Sequence, residues 1–159
     1  MATAAKSDWG IIAIALLNFL RQCNIQGVPS DNVKIQKLPL QLKDYWPGVY
    51  ITPAIERITG RGNASDTWVF RMQVTVISAS NGVVDDFAQL DAFMFARQKM
   101  FEELLPTFQP ILNSLGKAFT LDIEPGPVID PASFDGGYDA QAFIVAVSQA
   151  KNRKRPAAT

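Results

Sequence analysis

The sequence contains no histidine and one cysteine, Cys23, in 159 residues. One cysteine closes no intrachain disulfide, so a disulfide-stapled secreted domain is excluded and a reducing compartment is the simpler setting. Without histidine, the Ser–His–acid and Cys–His nucleophile systems cannot be built within the chain, and neither can zinc sites of His and Cys. The commonest general base is therefore missing. Net charge is absent as well, because fifteen Lys+Arg balance fifteen Asp+Glu. So is any long apolar run. The longest, residues 10–17, is about eight residues against the ~20 of a membrane-spanning helix. Asp8 in its flank and Asn18 at its end also fit poorly with a signal peptide, so the segment reads as a helix of a soluble domain.

What is present is 48% hydrophobic residues, enough to bury a core in a chain of single-domain length. The charge balance conceals an asymmetry. Lys151, Arg153, Lys154 and Arg155 crowd the last nine residues, and no carboxylate follows Asp139. Residues 1–150 are thus an acidic body, one α+β domain, and 151–159 a basic tail expected to be disordered.

The first helix opens at Ser7 or Asp8. Ile12, Leu16, Phe19, Leu20 and Cys23 recur at helical spacing, and Gly27 with Pro29 marks the expected stop. Cys23 reads as a small buried hydrophobe on that face. Residues 33–37 alternate as a short strand. Residues 38–47 are too proline-rich for a regular element, and 49–56 form a second strand whose Pro53 signals an edge or a bulge. The Gly/Asn segment 59–64 reads as a flexible hairpin loop.

Trp68, Phe70, Met72, Val74 and Val76 then alternate over ten residues, leaving Arg71, Gln73 and Thr75 as a polar stripe on the opposite face. After Asn81-Gly82, Asp85 and Asp86 start a second long helix. Phe87, Leu90, Met94 and Phe101 supply its buried side, and Pro106 ends it. A weakly helical stretch around Ile111–Leu115 precedes strands at 118–123 and 142–148, with 124–127 interrupting the first of these. The economical arrangement is a mainly antiparallel sheet with both long helices on one face.

Candidate chemistry is thin. Gly60-Arg61-Gly62 lacks the lysine and following helix of a phosphate loop. Adjacent Asp85 and Asp86 point about 100° apart on a helix and serve better as a cap. Asp130, Asp135 and Asp139 match no calcium loop. No catalytic, cofactor-binding or metal site emerges. A carboxylate-based ligand site using Asp130 and Asp135 beside Tyr138 remains the alternative from another class. Tyr45 and Trp46 either cover one end of the core or anchor a partner. The basic tail offers at most a sequence-independent phosphate contact, so no specific nucleic-acid binding is expected. Side chains assigned to partner contacts are Tyr45, Trp46, Arg57, Arg61, Asn63, Arg71, Lys151, Arg153, Lys154 and Arg155.

Over residues 8–150 the order of segments resembles the tail-terminator (tail-completion) proteins of long-tailed bacteriophages and the neck and minor tail proteins that share their fold. The likeness rests on the opening helix 9–23, GVYITPAIE, the Gly/Asn loop with its aspartate, DTWVFRMQVTVIS, VVDDFAQLDAFMFARQKMFEEL and a final strand pair. The resemblance implies a non-enzymatic virion protein, assembled in the host cytoplasm. It would form a ring of about six subunits at the head-proximal end of the tail tube. There it would end tube growth and join tail to connector, with the Gly60–Asp66 loop reaching toward a neighbouring ring. Residues 38–47, 124–137 and the basic tail have no counterpart in the pattern, so terminator, neck adaptor and other minor tail protein all remain open.

Overall fold

Ser7 accepts a hydrogen bond from the Gly10 amide through its hydroxyl (3.0 Å) and opens helix α1, Asp8–Gln22. The computed structural model describes residues 6–25, 28–37, 47–59, 65–79, 87–126 and 138–152. Ile12, Ala13, Leu16, Phe19 and Leu20 form the buried side of α1, as their spacing requires. The helix stops earlier than expected. Asn24 takes a left-handed conformation (φ 47°), which asparagine tolerates better than most residues, and the chain turns there. Gly27 lies outside the described residues.

Among the described residues there are six strands: β1 Val33–Ile35, β2 Gly48–Pro53, β3 Arg57–Thr59, β4 Ser65–Ala79, β5 Thr120–Pro125 and β6 Tyr138–Asn152. They form one sheet in the order β1-β2-β4-β6-β5, with β3 also on β4. Only β1 and β2 run parallel; the other pairings are antiparallel. The chain is thus an α+β protein built on a mostly antiparallel sheet.

The spine of the sheet is the β4–β6 pair, in register over all fifteen residues from Ser65↔Asn152 to Ala79↔Tyr138. At ~3.4 Å per residue this ribbon is about 50 Å long. Its helix-facing side sets Phe70, Met72 and Val74 against Val147, Val145 and Phe143, all buried beneath α1. Both strands exceed the expected lengths. β6 runs to Asn152, so Lys151 belongs to the sheet and not to the tail. Glu124 and Pro125 continue β5, paired with Ile144 and Phe143, where an interruption was expected. Pro125 is tolerated because β5 is an edge strand.

Pro53 does mark a bulge. Pro53 pairs with Met72 and Arg57 with Val69, so four steps along one strand oppose three along the other. The hairpin expected at residues 59–64 is bracketed by β3 and β4, but 60–64 lie outside the described residues.

The opposite face of β4 is drier than a solvent stripe. Thr75 is buried, Gln73 donates to its hydroxyl (3.1 Å), and Tyr50, Ile77 and Ala140 form a second small apolar cluster.

Helix α2, Phe87–Lys99, is the main departure. Its expected buried residues Phe87, Leu90 and Met94 are exposed, as is Phe95; Phe87 is 76% exposed and Phe95 61%. Only the C-terminal end reaches the sheet, where Arg97 lies over the Phe143 ring (4.7 Å) and Phe101 stacks near it (5.9 Å). At 100° per residue, Phe87, Leu90, Met94 and Phe95 fall within an arc of about 140°, on the side away from buried Met100.

Pro106 does not end the helical path. The backbone widens into a π-type turn at Met100–Leu104, tightens at Leu105–Phe108, and resumes as α3, Gln109–Asn113. A proline lacks the amide hydrogen and crowds the carbonyl four residues back, which accounts for the altered winding before it. Among the described residues no helix is long and apolar enough to cross a membrane.

Candidate interaction surface

Three features of the described surface bear on function. The first is a clamp at the end of the β4–β6 ribbon. Asp8, in the first turn of α1, accepts from Lys151 of β6 (2.6 Å) and also from Lys117 in the turn after α3. These two ammonium groups hold the Asp8 carboxyl below its ordinary range. Lys151 also lies over the rings of Trp68 (5.3 Å) and Phe70 (5.1 Å). This lysine, expected to meet a partner, is engaged within the chain.

Arg71 is likewise engaged. It pairs with Glu124 across the β6 strand, and its side chain is 12% exposed. The sequence placed it on a wet stripe, but the strand pairing sets an acid of β5 within its reach. Arg57 lies in β3 opposite Val69. Tyr45, Trp46, Arg61, Asn63, Arg153, Lys154 and Arg155 lie outside the described residues, as do Asp85, Asp86, Asp130 and Asp135. Asp139 falls within β6, opposite Ser78.

The second feature is the apolar face of α2, which sequence reasoning missed. Phe87, Leu90, Met94 and Phe95 form a contiguous exposed surface of a kind that marks interaction sites. From the sequence, Phe95 reads as a margin of the buried side, beside Ala88 and Ala92. The helix is held by its far end. Arg97 donates to the carbonyls of Gly126 (3.1 Å) and Ala142 (3.5 Å), and burial pulls the pKa of its guanidinium down.

The third feature is a cavity of about 500 Å³ where the C-terminal half of α2 leans over the sheet. Val28, Val76, Ala96 and Met100 contribute apolar wall, with Lys99 and Asp139 beside them. Cys23 also lines it, and burial pushes its thiol up, away from reactivity. Gln141 is 4% exposed in the same lining, and its Oε1 has no hydrogen-bond partner. A second exposed apolar site lies on the β2–β3 bulge, where Ile55 is 80% exposed and Ile58 42%.

These features describe an α+β domain with unburied apolar surface at separate places. No protein-family model matches the chain, and no curated protein is significantly similar to it in sequence.

Proposed function

We propose that the chain is a structural subunit of a bacteriophage tail, resembling a tail terminator. In this reading it forms a homo-oligomeric ring of about six copies at the head-proximal end of the tube, meeting the tube protein on one side and the connector on the other. The observation that carries the reading is α2, whose large apolar side chains lie in solvent in the single chain. Exposed apolar surface marks a site of contact, and a subunit buries it on assembly. The order of elements over residues 8–150 supports the same class. A neck adaptor or another minor tail protein would present the same surface.

The test is sizing by light scattering, with the full chain alone and mixed with a tail-tube protein and a connector protein. Incorporation into a ring-sized complex is the expected result. A chain that joins neither protein, or one that turns over a substrate when purified, overturns the reading.

A further inference from the structure

Protein interiors close-pack and leave few voids larger than a water molecule. The cavity of about 500 Å³ beneath α2 departs from that rule. Its floor is the helix-facing side of the β4–β6 ribbon, where Val76 lies opposite Gln141 and Ser78 opposite Asp139. Its roof is α2, where Ala92 and Ala96, one turn apart, contribute only methyl groups. Ile25 and Val28, from the chain after α1, close one side. Small side chains across from a sheet leave the space that larger ones would fill.

The size narrows the occupant. An apolar cavity of ~150 Å³ holds one benzene molecule, so this one, about three times larger, takes a body of roughly two or three fused rings or about a dozen carbons. The phenyl ring of a phenylalanine inserted by another protein would fill only about a third of it. The volume lies within the range of small-molecule sites.

The lining selects the polar group. Gln141 is 4% exposed, and its Oε1 has no hydrogen-bond partner. A buried amide left unpaired is unfavourable, so an occupant that bonds to it gains affinity. The amide turns about its last torsion between two nearly equivalent settings, which present either its oxygen or its nitrogen to the cavity. A hydroxyl donates to the first and accepts from the second. A carboxylate only accepts. It would also meet Asp139 in the lining, while the cation there, Lys99, is already paired with Glu103. The surroundings therefore disfavour an anion.

We infer that the cavity under α2 binds a neutral, apolar-bodied alcohol or phenol, with the Gln141 amide as its polar anchor. The inference goes beyond the ring-subunit reading and does not rest on it.

Naphthol is the probe. The full chain is titrated with it by calorimetry and by naphthol fluorescence, and hydrogen exchange locates the site. One molecule per chain is expected, with exchange slowed at 92–100 and 139–141, the two walls. Naphthalene, which lacks the hydroxyl, should bind about tenfold more weakly, the weight of one buried hydrogen bond. Naphthoate, similar in size and charged, should also bind more weakly than naphthol. In Gln141→Leu the preference for naphthol over naphthalene should vanish, with naphthalene binding retained. Ala96→Phe, at an exposed position of α2 in the cavity lining, should weaken both by at least about tenfold, because it takes up a ring's worth of the space. Should Gln141→Leu fail to fold, the comparison of naphthol, naphthalene and naphthoate on the native chain decides alone. No binding up to the solubility of the probe overturns the inference. So does binding at several sites per chain, binding unchanged in Ala96→Phe, or naphthoate bound as tightly as naphthol. Protection confined to Phe87 and Leu90 assigns the probe to the open face of α2 and overturns it as well. In each of these cases the ring reading stands, because co-assembly with tube and connector tests it separately.

Discussion

Lys151 reaches Asp8 at 2.6 Å, tying the end of the last strand to the first turn of the first helix across 143 residues of sequence. Lys117 shares the same carboxylate. Asp8 thereby closes the fold at one end of the β4–β6 ribbon. The carboxyl pKa is depressed from its ordinary value of 3.8 by its two lysine partners. Its contribution is therefore full above that value and is lost as pH falls through the lower folded value. Asp8→Asn should destabilise the chain by about 1 kcal/mol near neutral pH, since each exposed pair contributes little. In urea denaturation the gap between the two proteins should close as pH falls below about 4. A gap that is constant across that range would assign the effect to something other than the ion pairs.

The exposed side of α2 separates stability from assembly. Phe87 and Phe95 touch little in the single chain, so Phe87→Ser/Phe95→Ser should shift unfolding by no more than about 0.5 kcal/mol per site. Leu16→Ala, in the fully buried face of α1, should cost about 2–5 kcal/mol. If α2 is a contact surface, the phenylalanine variant should also remain less associated in light scattering. A loss of several kcal/mol in that variant would mean the side chains are packed after all.

Arg71 and Glu124 form a pair in which the cation is nearly enclosed. Removing the acid alone leaves a desolvated guanidinium whose Nε already lacks a partner. Glu124→Ala should therefore cost about 2 kcal/mol, in the range for hydrogen bonds to charged groups. Replacing both residues, as in Arg71→Met/Glu124→Leu, should recover much of that loss, because a paired charge in a dry site is offset by its own desolvation. The double-mutant cycle by chemical denaturation measures the coupling. Additive losses would show that the two side chains do not act as a unit.

The legible parts of the fold were those where one physical rule acts alone. Strict alternation from Trp68 to Ile77 located β4, helical spacing from Ile12 to Leu20 located α1, and Pro53 announced its bulge. Strand ends were lost because pairing extends past the apolar pattern. Gln149, Ala150 and Lys151 have no alternation of their own, yet β4 holds them in register opposite Trp68, Thr67 and Asp66. The interaction surface was obscured for a different reason. An apolar helix residue reads as core by default, and nothing local distinguishes Phe95 in solvent from Phe108 in the interior. Likewise Arg71 and Lys151 looked free, because their acids lie 53 and 143 residues away in sequence.

Gly126 controls how α2 is attached. A Cβ there would fall 2.5 Å from the carbonyl oxygen of Ala142 and 2.8 Å from its carbon, a collision with backbone that a rotamer change cannot relieve. The same residue's carbonyl receives Arg97, the anchor of the α2 C-terminal end. Gly126→Ala should therefore cost about 1–3 kcal/mol through overpacking. It should also speed hydrogen exchange along 97–104, because the anchor shifts with the strand end. Gly116 supplies the control. It has φ +73° with open space around it, so Gly116→Ala should cost about 1–2 kcal/mol through backbone strain alone. Exchange in α2 should then stay unchanged. Equal effects of the two variants on 97–104 would show that α2 responds to overall stability and not to its contact with Gly126.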